Sequence, residues 1–144
     1  MKKFLVLLAL MFSSTLFAGE LIVHTVSKHT VDTYNLDEKG DTRLNNTNLG
    51  LGYRTDEGIT VGMYHNSYNK TTAYVVKDFM YNEYLGVTVG ATTGYKLATG
   101  YAVSPSLTFV VAMPVKEGVT FRLHFLPPFK DLAGVVHLTV GFKF

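Results

Sequence analysis

Cysteine is absent from the 144 residues. That excludes disulfide bridges and thiolate metal sites, two common ways of holding a small exported domain together. Beyond the first eighteen residues, no stretch approaches the roughly 20 consecutive apolar residues that a transmembrane helix requires. No segment shows a convincing helical period, so the chain reads as strands and turns. An excess of one charge is missing too. The 13 Lys and Arg include Lys2 and Lys3, and the remaining 11 equal the 11 Asp and Glu. Such a surface has no basic field to gather nucleic acid.

The N-terminus has a recognisable layout. Lys2 and Lys3 precede an apolar run from Phe4 to Phe12, followed by Ser13, Ser14, Thr15 and Leu16-Phe17-Ala18. A charged start, a short apolar centre and a small-residue end make a secretory signal peptide, residues 1–18, with cleavage expected after Ala18. Residues 19–144 then form one exported domain. Without disulfides it must find stability elsewhere, and a closed barrel in lipid is one solution. At the other end, Phe144 follows Gly141-Phe142-Lys143. Strands that close outer-membrane barrels commonly end on an aromatic residue.

Turn residues divide the domain into eight expected strands: 20–29, 46–55, 58–67, 70–81, 83–95, 103–114, 118–127 and 134–144. Most are near the roughly 9–11 residues that a tilted strand needs to cross a bilayer. An even number closes antiparallel with both ends on one side. Alternation is clearest late in the chain. Val136, Leu138, Val140, Phe142 and Phe144 share one face, opposite His137, Thr139, Gly141 and Lys143. Lipid outside and small or polar residues inside fit that pattern, whereas Gly, Thr, His and Arg make poor material for a dry sandwich core. Tyr81, Tyr84, Tyr95, Tyr101, Phe125 and Phe129 cluster near strand ends, as interfacial girdles do. The expected fold is all-β, an eight-stranded antiparallel transmembrane β-barrel of the bacterial outer membrane. Turns 55–58 and 115–118 are tight and polar, suited to the periplasmic side, and the longer polar connection 30–45 suits the extracellular side.

That topology brings His29 and the segment Asn66-Ser67 to the same height at the extracellular end, on neighbouring strands. A histidine beside a serine is the raw material of acyl transfer, because the imidazole can take a proton that the hydroxyl does not release alone. The same pair also suits a hydrogen-bonded polar loop. His124, His137 and Arg122 read as an interior polar network. No carboxylate or spacing signature points to a metal. Pro105 begins one strand and Pro127-Pro128 end another; proline cannot donate to a ladder, so each marks either strand termination or a weak place in the wall. The spacing Gly86…Gly90…Gly94 marks close packing or strand bending rather than a phosphate loop.

The segment Gly62-Met63-Tyr64-His65-Asn66-Ser67-Tyr68-Asn69-Lys70 resembles the active-site stretch of the lipid A palmitoyltransferases (the PagP family), which reads approximately Gly-Leu-Tyr, a few residues, then Asp-Ser-Trp-Asn-Lys. His29, Tyr34, a charged loop, Asn45-Asn46 and Gly50-Leu51-Gly52 follow that family's order upstream, and Gly86 to Thr92 and Phe125-Leu126-Pro127 follow it downstream. The resemblance implies an eight-stranded outer-membrane barrel that moves an acyl chain from a phospholipid to lipid A. It would make His29, Asn66 and Ser67 the catalytic positions, with Asn66 orienting, and place Pro105 and Pro127 near a lateral gate. It implies membrane lipids as partners, no metal or soluble cofactor, and a monomer. Three departures stand out: Asn66 where the family has Asp, no amphipathic helix before the first strand, and no tryptophan. The compact barrel also resembles small envelope proteins of phages and prophages. The alternative expectation is therefore a non-catalytic surface barrel that alters the envelope or excludes a receptor.

Overall fold

The computed structural model describes residues 18–35, 41–128 and 133–144. Of the expected signal peptide only Ala18 falls among these, and Phe129 lies outside them. In chain order the elements are β1 Gly19–His29, β2 Thr33–Asn35, β3 Asp41–Arg43, β4 Thr47–Thr55, β5 Ile59–His65, β6 Thr71–Met80, β7 Leu85–Thr93, the one-turn helix α1 Lys96–Thr99, β8 Val103–Lys116, β9 Val119–Leu126 and β10 Val135–Lys143. β1 and β4 to β10 form a closed barrel, each strand antiparallel to its chain neighbour and β1 pairing with both β10 and β4. β2 and β3 form a small separate hairpin.

All eight expected barrel strands are present, with two shortened at the end that carries the longer connections, called here the upper end. β5 stops at His65, not Ser67, because the Asn66 side chain takes the N–H groups of Tyr68 and Lys70, each at 2.9 Å, and draws the chain into a turn. β7 stops at Thr93, not Tyr95, because Gly94 enters the left-handed region at φ 81°. Four residues of helix are too few for an apolar period to announce them. At the lower end the connections are short. Gly58, φ 81°, returns its N–H to Thr55 at 3.0 Å while its carbonyl accepts from Asp78, so the chain reverses without leaving the sheet.

The pleat sorts side chains as the alternation implied. Thr60, Thr72, Asp78, Thr88, Arg122 and Thr139 face inward and are buried. Leu49, Leu51, Met63, Leu107 and Phe109 face outward and are each more than half exposed. Outward apolar residues of this kind girdle the barrel, with Phe79, Tyr81, Tyr84 and Phe144 toward the lower end and Tyr101 and Phe125 toward the upper. Tyr95 departs from the expected girdle: it turns inward and bonds the Tyr64 hydroxyl at 2.7 Å.

One irregularity matters for the site. Glu20, Ile22 and His24 are buried on β1, and beyond them so are Ser27 and His29. The inward set switches from even to odd numbers. A bulge does this: the register of β1 shifts between His24 and Val26 against β4, and between His24 and Ser27 against β10. Thr25 pins it by donating its hydroxyl to the carbonyl of Leu138 at 2.8 Å. Without the extra residue His29 would point away from the lumen.

Charge closes the lower lumen. Arg122 donates two bonds to the carboxylate of Glu20, at 2.9 and 2.8 Å. Arg54 donates to Asp78 at 3.0 Å and stands 3.7 Å from Glu20. Thr88 donates to the other oxygen of Asp78 at 2.7 Å. Two cations and two anions thus join β1, β4, β6, β7 and β9 across the barrel. Buried charges of this kind are tolerable only when paired in this way.

Candidate active site

His29 and Ser67 meet at the upper rim. His29 Nε2 lies 2.7 Å from Ser67 Oγ, and His29 Nδ1 lies 2.7 Å from Asn46 Oδ1. The two residues are not on adjacent strands: β4 stands between β1 and β5. They meet because β4 yields. Its ladder to β5 covers only Gly50 to Arg54. Above Gly50 the join continues through Asn48, whose amide donates to the carbonyl of His65 at 3.0 Å, and through Asn45, whose N–H donates to the carbonyl of Ser67 at 2.8 Å. His29 and Ser67 are each 8% exposed, yet both line the barrel cavity. Hydroxyl, imidazole and amide oxygen stand in line, the order in which a serine loses its proton to a histidine held by a third group.

Asn66 does not join that line. It is fully buried, donates to Thr72 Oγ1 at 3.0 Å and to the carbonyl of Gly94 at 2.9 Å, and accepts from Tyr68 and Lys70. All its bonds staple the turn that carries Ser67 to β6 and to the end of β7. The amide oxygen beside His29 Nδ1 belongs to Asn46, not to Asn66 as expected. Asn66 sits where β5 ends, with its amide committed to Thr72 and Gly94, whereas Asn46 precedes β4 beside β1, with its carbonyl accepting from Ser27 N–H at 2.8 Å.

The cavity below the pair has a volume of about 250 Å³, a little under the usual range of ligand pockets, about 300–1,000 Å³. It runs from His29 and Ser67 down to Arg54, Asp78 and Arg122. Its lining is rich in hydroxyls and rings, but these polar atoms bond to one another. His24 bonds Tyr74 at 2.7 Å and His137 at 3.1 Å and stacks on Tyr64; Thr99 bonds Ser104 at 2.7 Å. Burial pushes the Tyr95 hydroxyl well above its usual pKa, so it stays neutral beside Tyr64. What faces the cavity is therefore largely ring faces and methyl groups. Tyr74 fits because Gly52 and Gly62 have no side chain where its hydroxyl lies.

On one side, among the described residues, the strand ladder is incomplete. β8 pairs with β7 up to Val103, but its ladder to β9 begins only at Phe109. β9 ends at Leu126, directly before Pro127 and Pro128. Among the described residues no strand pairs with 103–108 of β8 on that side. Pro105, on the unpaired stretch, borders the same cavity as Ser67, as does Leu126 at the end of β9.

Of the residues singled out in the sequence, the structure brings His29 and Ser67 together; Pro105 lies on the stretch of β8 without a β9 partner, and Pro127 directly follows β9. His137 and Arg122 serve separate clusters, the first with His24 and the second with Glu20, and His124 reaches Thr139 at 3.4 Å. His24, Glu20, Arg54 and Asp78 were not singled out, and Asn46 was named only within the family resemblance, with no role. Asn46 had a local signal, in that a polar Asn45-Asn46 pair enters a strand at the height of His29. Among the described residues no group of three His, Asp or Glu side chains is arranged to hold a metal ion. No family model and no curated protein matches the chain.

Proposed function

We propose that this protein is an exported outer-membrane barrel in which Ser67, activated by His29, takes an acyl chain from a membrane phospholipid and passes it to lipid A. The observation that carries this reading is the 2.7 Å contact between His29 Nε2 and Ser67 Oγ at the head of a lumen cavity that reaches an unpaired stretch of wall. Supporting a membrane setting are the exposed apolar residues around the barrel and the aromatic residues toward both ends. The likeness of Asn66 to Lys70 and its flanks to the lipid A palmitoyltransferases points to the same substrates.

The chemistry follows from the geometry. Nε2 takes the Ser67 proton as Oγ bonds to the ester carbonyl carbon of the phospholipid. The ester C–O bond breaks, and the imidazolium returns the proton to the departing lysophospholipid oxygen. A lipid A hydroxyl then attacks the acyl-serine, giving its proton to Nε2, which passes it to Ser67 Oγ as that bond breaks. The acyl chain enters between β8 and β9, past Pro105 and Pro127, and lies along the ring faces and methyls of the lumen. Neither metal nor soluble cofactor takes part.

A second reading is a non-catalytic envelope barrel whose upper connections meet a partner. The charged layer of Glu20, Arg54, Asp78 and Arg122 favours it, because that layer fills the lower lumen and limits the room for a chain. Mass spectrometry of lipid A from cells expressing the wild type and Ser67→Ala separates the two. An added acyl chain that disappears in the variant is the expected result; unchanged lipid A with the barrel folded in the outer membrane selects the second reading.

A further inference from the structure

We infer that Asn46 is a positioning residue that holds His29 in the one neutral tautomer able to accept a proton from Ser67. The inference rests on the acyl-transfer reading for its purpose, but not for its geometry. An amide oxygen only accepts hydrogen bonds. With Asn46 Oδ1 2.7 Å from His29 Nδ1, that nitrogen must carry the proton. In the neutral ring Nε2 is then bare, and it is the atom 2.7 Å from Ser67 Oγ. The reverse tautomer would set the lone pair of Nδ1 against that of the amide oxygen and would point an Nε2–H at the hydroxyl oxygen.

Asn46 is built to hold this position. Its carbonyl accepts from Ser27 N–H at 2.8 Å, which ties its backbone to the strand carrying His29 just past the bulge. On either side, Asn45 bonds Thr47 through both its amide nitrogen and its oxygen, at 2.7 and 3.0 Å, and Asn48 bonds His65. The run 45–48 is thus fixed independently of the imidazole. Among the described residues, Asn46 is the hydrogen-bond partner of His29 Nδ1.

The test is ¹⁵N NMR of histidine-labelled barrel in detergent micelles, at a pH where the imidazole is neutral, with the His29 signal assigned by its loss in His29→Gln. The expected result is a protonated Nδ1 and a bare Nε2 in the wild type. In Asn46→Ala the population should move toward the Nε2–H form, and in Asn46→Asp it should return. A wild type with Nε2–H, or an Asn46→Ala spectrum unchanged at His29, overturns the inference. Labelling of Ser67 by an alkyl fluorophosphonate, read as intact mass, supplies the functional arm. Losing the orienting bond should slow labelling about tenfold in Asn46→Ala, the equivalent of one ordinary hydrogen bond. Asn46→Asp should restore the rate and move its pH dependence upward, because a carboxylate stabilises the imidazolium. Where the wild type is labelled, an equal rate in Asn46→Ala also overturns the inference. A wild type that shows the tautomer dependence but no labelling at Ser67 contradicts the acyl-transfer reading and leaves the tautomer assignment standing.

Discussion

His24 and His29 lie on the same strand and face the same lumen, one on each side of the β1 bulge. Both nitrogens of each ring are within bonding distance of a partner. His24 meets Tyr74 and His137, lies against Tyr64, and stands in the middle of the barrel among strand residues. His29 meets Ser67 and Asn46, neither of which lies within a strand. The first arrangement fills space and satisfies polar atoms in the lumen. The second sets a bare nitrogen against a hydroxyl. Residue type and burial are similar at both places, so under the proposed acyl transfer it is the partners that distinguish the two histidines, and the partners of His29 come from irregular chain at the rim.

The sharpest way to break this comparison is to remove each imidazole. His29→Gln and Ser67→Ala should each lower acyl transfer by about a thousandfold or more, the loss typical of removing a base or nucleophile. His24→Gln should lower it far less. Folding of all three is checked by heat-modifiable gel mobility, and activity by release of the acyl chain from labelled phospholipid. Similar losses in His24→Gln and His29→Gln would erase the distinction.

Next in size is the charged layer below both histidines. Arg122→Ala leaves Glu20 buried with only Arg54, 3.7 Å away and already bonded to Asp78, so it should cost about 3–5 kcal/mol of unfolding free energy in urea. The double variant Glu20→Leu/Arg122→Leu should recover most of that loss, because no unpaired charge remains. If Arg122→Ala is neutral, the layer does not hold the lower barrel.

The smallest effect concerns Asn66. Asn66→Asp gives the residue found in the lipid A palmitoyltransferases, yet here it should not raise activity. A carboxylate keeps the acceptors for Tyr68 and Lys70 but loses the donors to Thr72 and Gly94, and faces the Gly94 carbonyl instead. A cost of about 1–3 kcal/mol is expected, the penalty for lost buried hydrogen bonds, measured by urea unfolding. A gain in acyl transfer would show that residue 66 acts on His29 after all.

How far the sequence carried is clear from particular residues. The eight strands were legible because each alternates over most of its length and is bounded by turn residues. The pairing of His29 with Ser67 was legible as height along the barrel. Three things were not. A bulge inserts one residue and leaves no mark in composition, so the switch of inward positions after His24 was invisible. Glu20 and Arg122 are 102 residues apart and only barrel closure makes them neighbours. Asn66 and Asn46 are chemically alike, and only the directions of their side chains show which one reaches the imidazole.

The central claim is that Ser67 carries an acyl group with His29 as its base. The most direct measurement uses the purified, folded barrel with phospholipid labelled in its acyl chains and lipid A as acceptor, following label in the lipid products and on the protein. The account predicts labelled lipid A from the wild type, and neither product nor label on the protein from Ser67→Ala. Label reaching lipid A at the wild-type rate in Ser67→Ala, or failing to leave the phospholipid with the folded wild type, would contradict it.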